Sequence, residues 1–230
     1  MEIKLKILGI AVKWLFILCL PILLLTLSIG WVANSLWFYK YGFQKYDVSQ
    51  TTGLAQPELE KAATGLISYF NSDEEYITLS VVKNGKPFEL FNSKEVSHLK
   101  DVKRLIWLDY HLLLGTLIYT LGYAGVSLLW RRKKYYHRLA WGIVGGGGIT
   151  LVLILALGLG ALLNFDWLFL QFHFIAFVNE LWQLDPSKDY LLMLFPQGFW
   201  YDAVLLCSLV VAVGALVLGG MGMLFIRRKG

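Results

Sequence analysis

The sequence predicts a mainly α-helical membrane protein, with four transmembrane helices, a small α+β extracytoplasmic cap and interfacial aromatic helices. Three observations predict it. Hydrophobic residues fill 57% of the 230 positions and charged residues only 16%, a balance too apolar for an ordinary soluble domain. Four stretches each supply the roughly 20 apolar residues that cross a hydrocarbon core. The basic residues gather at the ends of those stretches, and on one side of them.

The predicted order is a first segment with its span (1–37), a cap (38–105), a second span (106–130) and a short cytoplasmic loop (131–138). A third span (139–165), an interfacial segment (166–202) and a fourth span with a tail (203–230) complete it. The apolar stretches themselves run from Trp14 to Trp37, Ile106 to Trp130, Leu139 to Phe165 and Ala203 to Ile226. Pro21 should bend the first, which membrane helices tolerate. The first is long and no small-residue cleavage site follows it, so it reads as a retained anchor rather than a signal peptide. The run Gly145 to Gly148 in the third is the expected site of close helix packing.

Orientation follows from Lys and Arg. Lys4, Lys6 and Lys13, the "RRKKYYHR" loop, and Arg227, Arg228 and Lys229 place eleven basic residues and a lone acid, Glu2, on one side. The other side keeps ten basic residues and fifteen acids. Both termini are therefore expected in the cytoplasm. The net charge of +5 is a topology signal with some attraction to anionic lipid, and nucleic acid binding has no support. Cys19 and Cys207 each lie inside an apolar run, so no disulfide framework is expected.

The cap reads as mixed α and β. Pro57 opens "ELEKAATGLISYF", an amphipathic helix. Ile77, Leu79 and Val81 alternate like a strand, and Asn84-Gly85 is a hairpin turn signal. Asn92 with Glu95 three residues on forms a capping box. From there "EVSHLKDVKRLIWLDYHLLLG" is expected to run as one helix into the second span. His98 and Asp101 share a face of it. After the third span, "QFHFIAFVNELWQLDP" and "LMLFPQGFWYD" are too polar to cross and dense in rings, as befits the membrane–water interface. They predict one or two interfacial helices.

Four histidines are present. His137 belongs to the cytoplasmic loop and is expected to be solvated or near headgroups. His111, inside the second span, is expected to make a structural hydrogen bond. His98 and His173 are both placed outside, at the interface, and form a candidate pair. Imidazole titrates near about 6.5 and can both take and give a proton. Asp101 could fix the tautomer of His98. No GxSxG, HExxH or Walker lysine is present, so the sequence offers no nucleophile elbow, recognised metal spacing or phosphate-cradling loop. No metal or cofactor is expected.

"EVSHLKDV", "FHFIAFVNELWQLDP" and "LLMLFPQGFWYD", with four spans, both ends inside and two outer segments, resemble the lipoprotein intramolecular transacylase family over essentially the whole chain. The resemblance implies a bacterial enzyme of the cytoplasmic membrane with its active site on the extracytoplasmic side. It implies diacylglyceryl-modified lipoproteins and membrane lipids as partners. It also implies transfer of the sn-2 acyl chain to the α-amine of the N-terminal cysteine, giving the lyso form. His98 and His173 are the implied catalytic residues, in an aromatic pocket. Asp101, Trp107, Phe169, Asn179, Trp182, Phe199 and Trp200 are assigned to substrate binding there, and Asn179, Trp182 and Asp185 are expected to support rather than react.

The residues fit such chemistry. An α-amine with a pKa near about 8 needs a base before it can attack an ester. A second imidazole can stabilise the oxyanion or protonate the leaving oxygen. Which histidine takes which role, and whether an acyl-imidazole forms, stay open at the level of sequence. Two other readings compete: an interfacial lipid or acyl-ester hydrolase using the same histidines, and a non-enzymatic transporter subunit. The second expects a polar path through the spans, where few charges lie.

Overall fold

In the computed structural model, residues 2–129 and 133–229 are described. Trp130, Arg131 and Arg132, at the end of the second predicted span and the start of the basic loop, lie outside them. In chain order the elements are α1 (Glu2–Ala33), α2 (Leu36–Lys45), α3 (Val48–Thr52), α4 (Gln56–Phe70), β1 (Ser80–Lys83) and β2 (Lys86–Glu89). They continue as α5 (Ser93–Leu129), α6 (Lys133–Ala176), α7 (Tyr190–Leu194) and α8 (Gln197–Lys229). Among the described residues, four helices are long and apolar enough to cross a membrane, within α1, α5, α6 and α8.

The chain divides into two units. The first holds the residues through Ile29, then Asp109–Leu159, then those from Leu205 onward. Its packing is built on rings and small residues. Phe16 of α1 stacks on Tyr123 of α5 at 4.4 Å between centroids, and Tyr119 Oη donates to the Val12 carbonyl at 2.8 Å. The four-glycine run is a contact surface, as expected. A Cβ on Gly146 would stand 2.5 Å from Leu20 Cδ1, and one on Gly147 would stand 3.1 Å from the Ala215 carbonyl oxygen. Hydrogen at these positions lets α6 approach α1 on one side and α8 on the other. Leu18, Ile118, Leu155 and Leu216 point outward and are exposed, which hydrocarbon accepts at no cost.

The second unit comprises Gly30–Leu108 and Gly160–Val204. It has a water-soluble type of core. Leu54, Leu59, Leu66, Val81 and Leu90 are almost wholly buried, each worth about 1.5–3 kcal/mol of transfer free energy. On α4, Leu59, Ala62, Ala63, Leu66, Tyr69 and Phe70 form the buried stripe. β1 and β2 pair antiparallel, Val81 opposite Phe88 and Lys83 opposite Lys86. The turn between them puts Asn84 at φ 52° and Gly85 at φ 76°, the left-handed pair of a type I′ hairpin.

Helix boundaries differ from the sequence expectation: α6 continues past Phe165 to Ala176, and α8 begins at Gln197 rather than Ala203. The first helix ends at Ala33 rather than reaching Trp37. Asn34 Nδ2 caps the Gly30 carbonyl at 2.7 Å, Ser35 takes extended angles, and Trp37 belongs to α2. Pro21 lies inside α1 without ending it.

Each of the four long helices has residues in both units. On α5, Lys94, Glu95, Lys100, Asp101, Lys103 and Arg104 cannot lie in hydrocarbon without heavy cost, so its spanning stretch begins after Arg104. On α6, Asn164 has extended angles (φ −161°, ψ 83°), and its Oδ1 accepts from Trp167 N–H at 3.0 Å. That is a helix N-cap. The stretch after it is a second, aromatic helix beyond the span.

Candidate active site

The site begins at the N-terminus of α5. Asn92 Oδ1 accepts the Glu95 N–H at 3.1 Å, and Glu95 Oε2 accepts the Asn92 N–H at 2.8 Å. This is the reciprocal capping box that the spacing predicts. The other Glu95 oxygen accepts the Leu191 N–H of α7 at 2.7 Å. The first turn is thus fixed at its start and against α7. One turn on, His98 is held at 6% exposure.

His173 comes from the helix after Asn164. Its Nδ1 lies 2.8 Å from the Phe169 carbonyl oxygen, a contact only a protonated Nδ1 can make favourably. The two imidazoles face each other at 6.4 Å between centroids, 27° from parallel. Rings enclose them. Phe177 sits edge-on to His98 at 5.0 Å and tilted to His173 at 5.5 Å. Phe169 stands edge-on to His173 at 4.5 Å, with Phe172 at 5.4 Å and Trp182 at 5.0 Å.

This apolar shell disfavours the charged imidazolium. Burial pushes His98 down to about 4, the nearby His173 pushes the same way, and Asp101 opposes both. Burial also lowers His173, while its Phe169 carbonyl bond pulls back upward. Both rings are therefore neutral at pH 7. His98 Nδ1 is buried with no hydrogen-bond partner. A buried polar atom left unpaired costs about 1–3 kcal/mol, so it marks a place where a ligand's polar group would be welcome.

A family model described as lipoprotein intramolecular transacylase Lit matches residues 14–200. The chain belongs to that family.

A protein of Aquifex aeolicus (strain VF5), described as uncharacterized, is 30% identical over 152 residues. That match spans 65% of this chain and 64% of the Aquifex protein. Among solved structures, the membrane integral lipoprotein intramolecular transacylase Lit from Bacillus cereus superposes with a TM-score of 0.80 at 17% identity, covering 97% of this chain and 98% of that one. Variants of that protein with one histidine replaced by arginine or alanine superpose with TM-scores of 0.76. This likeness is one of fold. Four spanning helices and the match to a membrane integral structure make this chain a multi-pass membrane protein.

In this transacylase-family fold the residues singled out from sequence have distinct surroundings. His98, His173, Phe169 and Trp182 form one cluster. Trp200 stands 6.1 Å behind Phe169. Phe199 lies deeper, at 4% exposure, among Phe38, Phe195 and Trp200, where Gly42 leaves room for its ring. Trp107 donates its indole N–H to the Phe70 carbonyl at 3.1 Å and borders a recess lined by Ser72, Glu74, Lys103 and Arg104.

Asp101 does not fix the tautomer of His98 through Nδ1. Its oxygens take the Asn179 amide at 2.7 Å and the Arg104 guanidinium at 3.2 Å, because three residues along the helix carries the carboxylate past the ring to the facing loop. Asp185 Oδ1 accepts from the Ser187 N–H at 2.9 Å, a turn within its own loop. Sequence reasoning missed Phe177 and Phe172. The i+4 spacing of Phe177 from His173, mirroring Phe169 at i−4, was the signal that could have found the first.

Proposed function

We propose that the chain moves the sn-2 acyl chain of a diacylglyceryl lipoprotein to the α-amine of its N-terminal cysteine, leaving the N-acyl, S-monoacylglyceryl lyso form. The observation that carries this is the facing pair His98 and His173 inside a ring-lined pocket, in a chain of this family. Membership of the family supports a bacterial cytoplasmic membrane setting, and the charge asymmetry of the loops supports the orientation in it. Both termini then lie in the cytoplasm and the pocket on the outer side.

The free α-amine is mostly ammonium at neutral pH, with a pKa near about 8. Two protons leave the nitrogen as it becomes an amide. One goes to solvent. The other passes through His173, whose Nδ1–H is held by the Phe169 carbonyl, so that Nε2 keeps the basic lone pair. The amine attacks the ester carbonyl, and an oxyanion develops. Neutral His98 donates an N–H to that oxyanion, as a depressed imidazole can. The imidazolium of His173 then hands its proton to the glycerol oxygen as the acyl C–O bond breaks.

Donor and acceptor share one molecule, so holding them face to face supplies much of the rate. Phe169, Phe177 and Trp182 exclude the water that would otherwise take the acyl group. Ester to amide is downhill, and the residues present suffice without a cofactor.

The test is expression in a strain making diacylglyceryl lipoproteins, followed by mass spectrometry of one N-terminal lipopeptide. Conversion to the lyso form is expected with the wild-type chain and not with His98→Ala or His173→Ala. Free fatty acid with an unacylated amine would instead identify a hydrolase.

A further inference from the structure

We infer that Asp101 and Asn179 are positioning residues whose hydrogen bond holds the aromatic roof shut and so decides whether the acyl group goes to the amine or to water. The inference rests on the transacylase reading above. Loop 177–183 is fastened to α5 on both sides of His98. Asn179 Nδ2 donates to Asp101 Oδ2 at 2.7 Å, and Lys94 Nζ donates to the Gln183 carbonyl. Trp182, which lies on His173, falls between these two fixings, and Phe177, which lies on His98, stands two residues before the first.

Asn179 has no freedom left in this arrangement. Its Oδ1 accepts the Leu181 N–H at 3.0 Å, so the amide is oriented from both ends. Asp101 is held likewise, since Arg104 takes its second oxygen at 3.2 Å. Asn179 is exposed and Asp101 half-buried, so the bond lies at the rim of the pocket. Neither side chain need touch substrate. What they control is the seat of two rings.

The competing reaction is simple. Water attacks the same ester carbonyl, the acyl C–O bond breaks, and the proton goes to the glycerol oxygen. Fatty acid is released and the cysteine amine stays free. A roof that lifts admits that water while leaving both histidines in place. Loss of the bond should therefore change the partition between products and not merely slow the enzyme.

The test is a double-mutant cycle on the full-length chain in membranes carrying a diacylglyceryl lipoprotein. Asn179→Asp opposes two carboxylates and is expected to raise the ratio of free fatty acid to lyso-form product about tenfold. The swap Asp101→Asn with Asn179→Asp restores one amide and one carboxylate and is expected to return the ratio to within about threefold of wild type. A variant that only misfolds lowers both products together, and the swap still reports the bond. An unchanged ratio in Asn179→Asp, or no recovery in the swap, overturns the inference. A wild-type chain that yields no lyso form would instead overturn the transacylase reading on which it rests.

Discussion

Two neighbouring turns of α5 treat a buried polar side chain in opposite ways. Glu95, at 1% exposure, has both carboxylate oxygens bonded, to the N–H groups of Asn92 and Leu191. His98, at 6% exposure, leaves Nδ1 without a partner. The same helix, at nearly the same depth, satisfies one group completely and the other incompletely. A buried group whose needs are met holds the fold, whereas one left short of a partner stores a cost that a ligand can relieve. That contrast distinguishes His98 from Glu95, which burial alone does not.

The largest expected effect breaks the functional half of the comparison. His98→Ala and His173→Ala should each lower lyso-form production by about 10²–10⁴-fold, the usual scale for a lost acid–base group. Thermal unfolding in detergent should hardly move. A large drop in unfolding temperature for His98→Ala would put it in the same class as Glu95.

Glu95→Ala attacks the structural half. It strips the partner from two backbone N–H groups, and a cost of about 2–3 kcal/mol in stability is expected. The residual folded protein should keep its ratio of products. Its unfolding curve and product ratio, measured together, check this.

Next comes pH. Burial holds His98 at about 4 and holds His173 below its ordinary value. A lowered imidazole is neutral above its folded pKa and charges only as pH falls through it. Beyond the decline set by protonation of the substrate amine, the further loss that comes from charging the rings should therefore begin only below pH about 6.5. Trp182→Ala, which rehydrates His173, should shift that acid limb upward by up to about one pH unit. The substrate amine gives its own limb near about 8, so it is a second, enzyme-borne limb at or above about 6.5 in the wild type that would contradict the burial argument.

The smallest effect is expected at the hairpin. Gly85→Ala puts a Cβ on a residue at φ 76° and should cost about 1 kcal/mol without altering the products.

These positions also mark how far the sequence could be read. The capping box at Asn92 and Glu95 and the Asn84-Gly85 turn were legible because their partners lie within a few residues, where spacing dictates geometry. The spans were legible from apolar length. The pairing of His98 with His173 was not visible in spacing, since helices far apart in sequence bring the rings together; topology put both at the outer interface as a candidate pair, and the family resemblance gave the pair its catalytic role. Phe199 and Trp182 look alike as aromatic letters. Only packing makes one a core ring over Gly42 and the other a wall beside His173. The Asp101–Asn179 bond was equally hidden, because a carboxylate three residues from a histidine suggests the ring itself as partner. The facing loop competes for it and wins.

The most direct test of the whole account is mass spectrometry of a lipoprotein N-terminus from cells expressing the wild-type chain beside its His173→Ala variant. The account predicts an N-acyl, S-monoacylglyceryl cysteine with the wild type, and an unchanged diacylglyceryl cysteine with the variant. Equal conversion by both, or an unacylated amine with released fatty acid in the wild type, would contradict it.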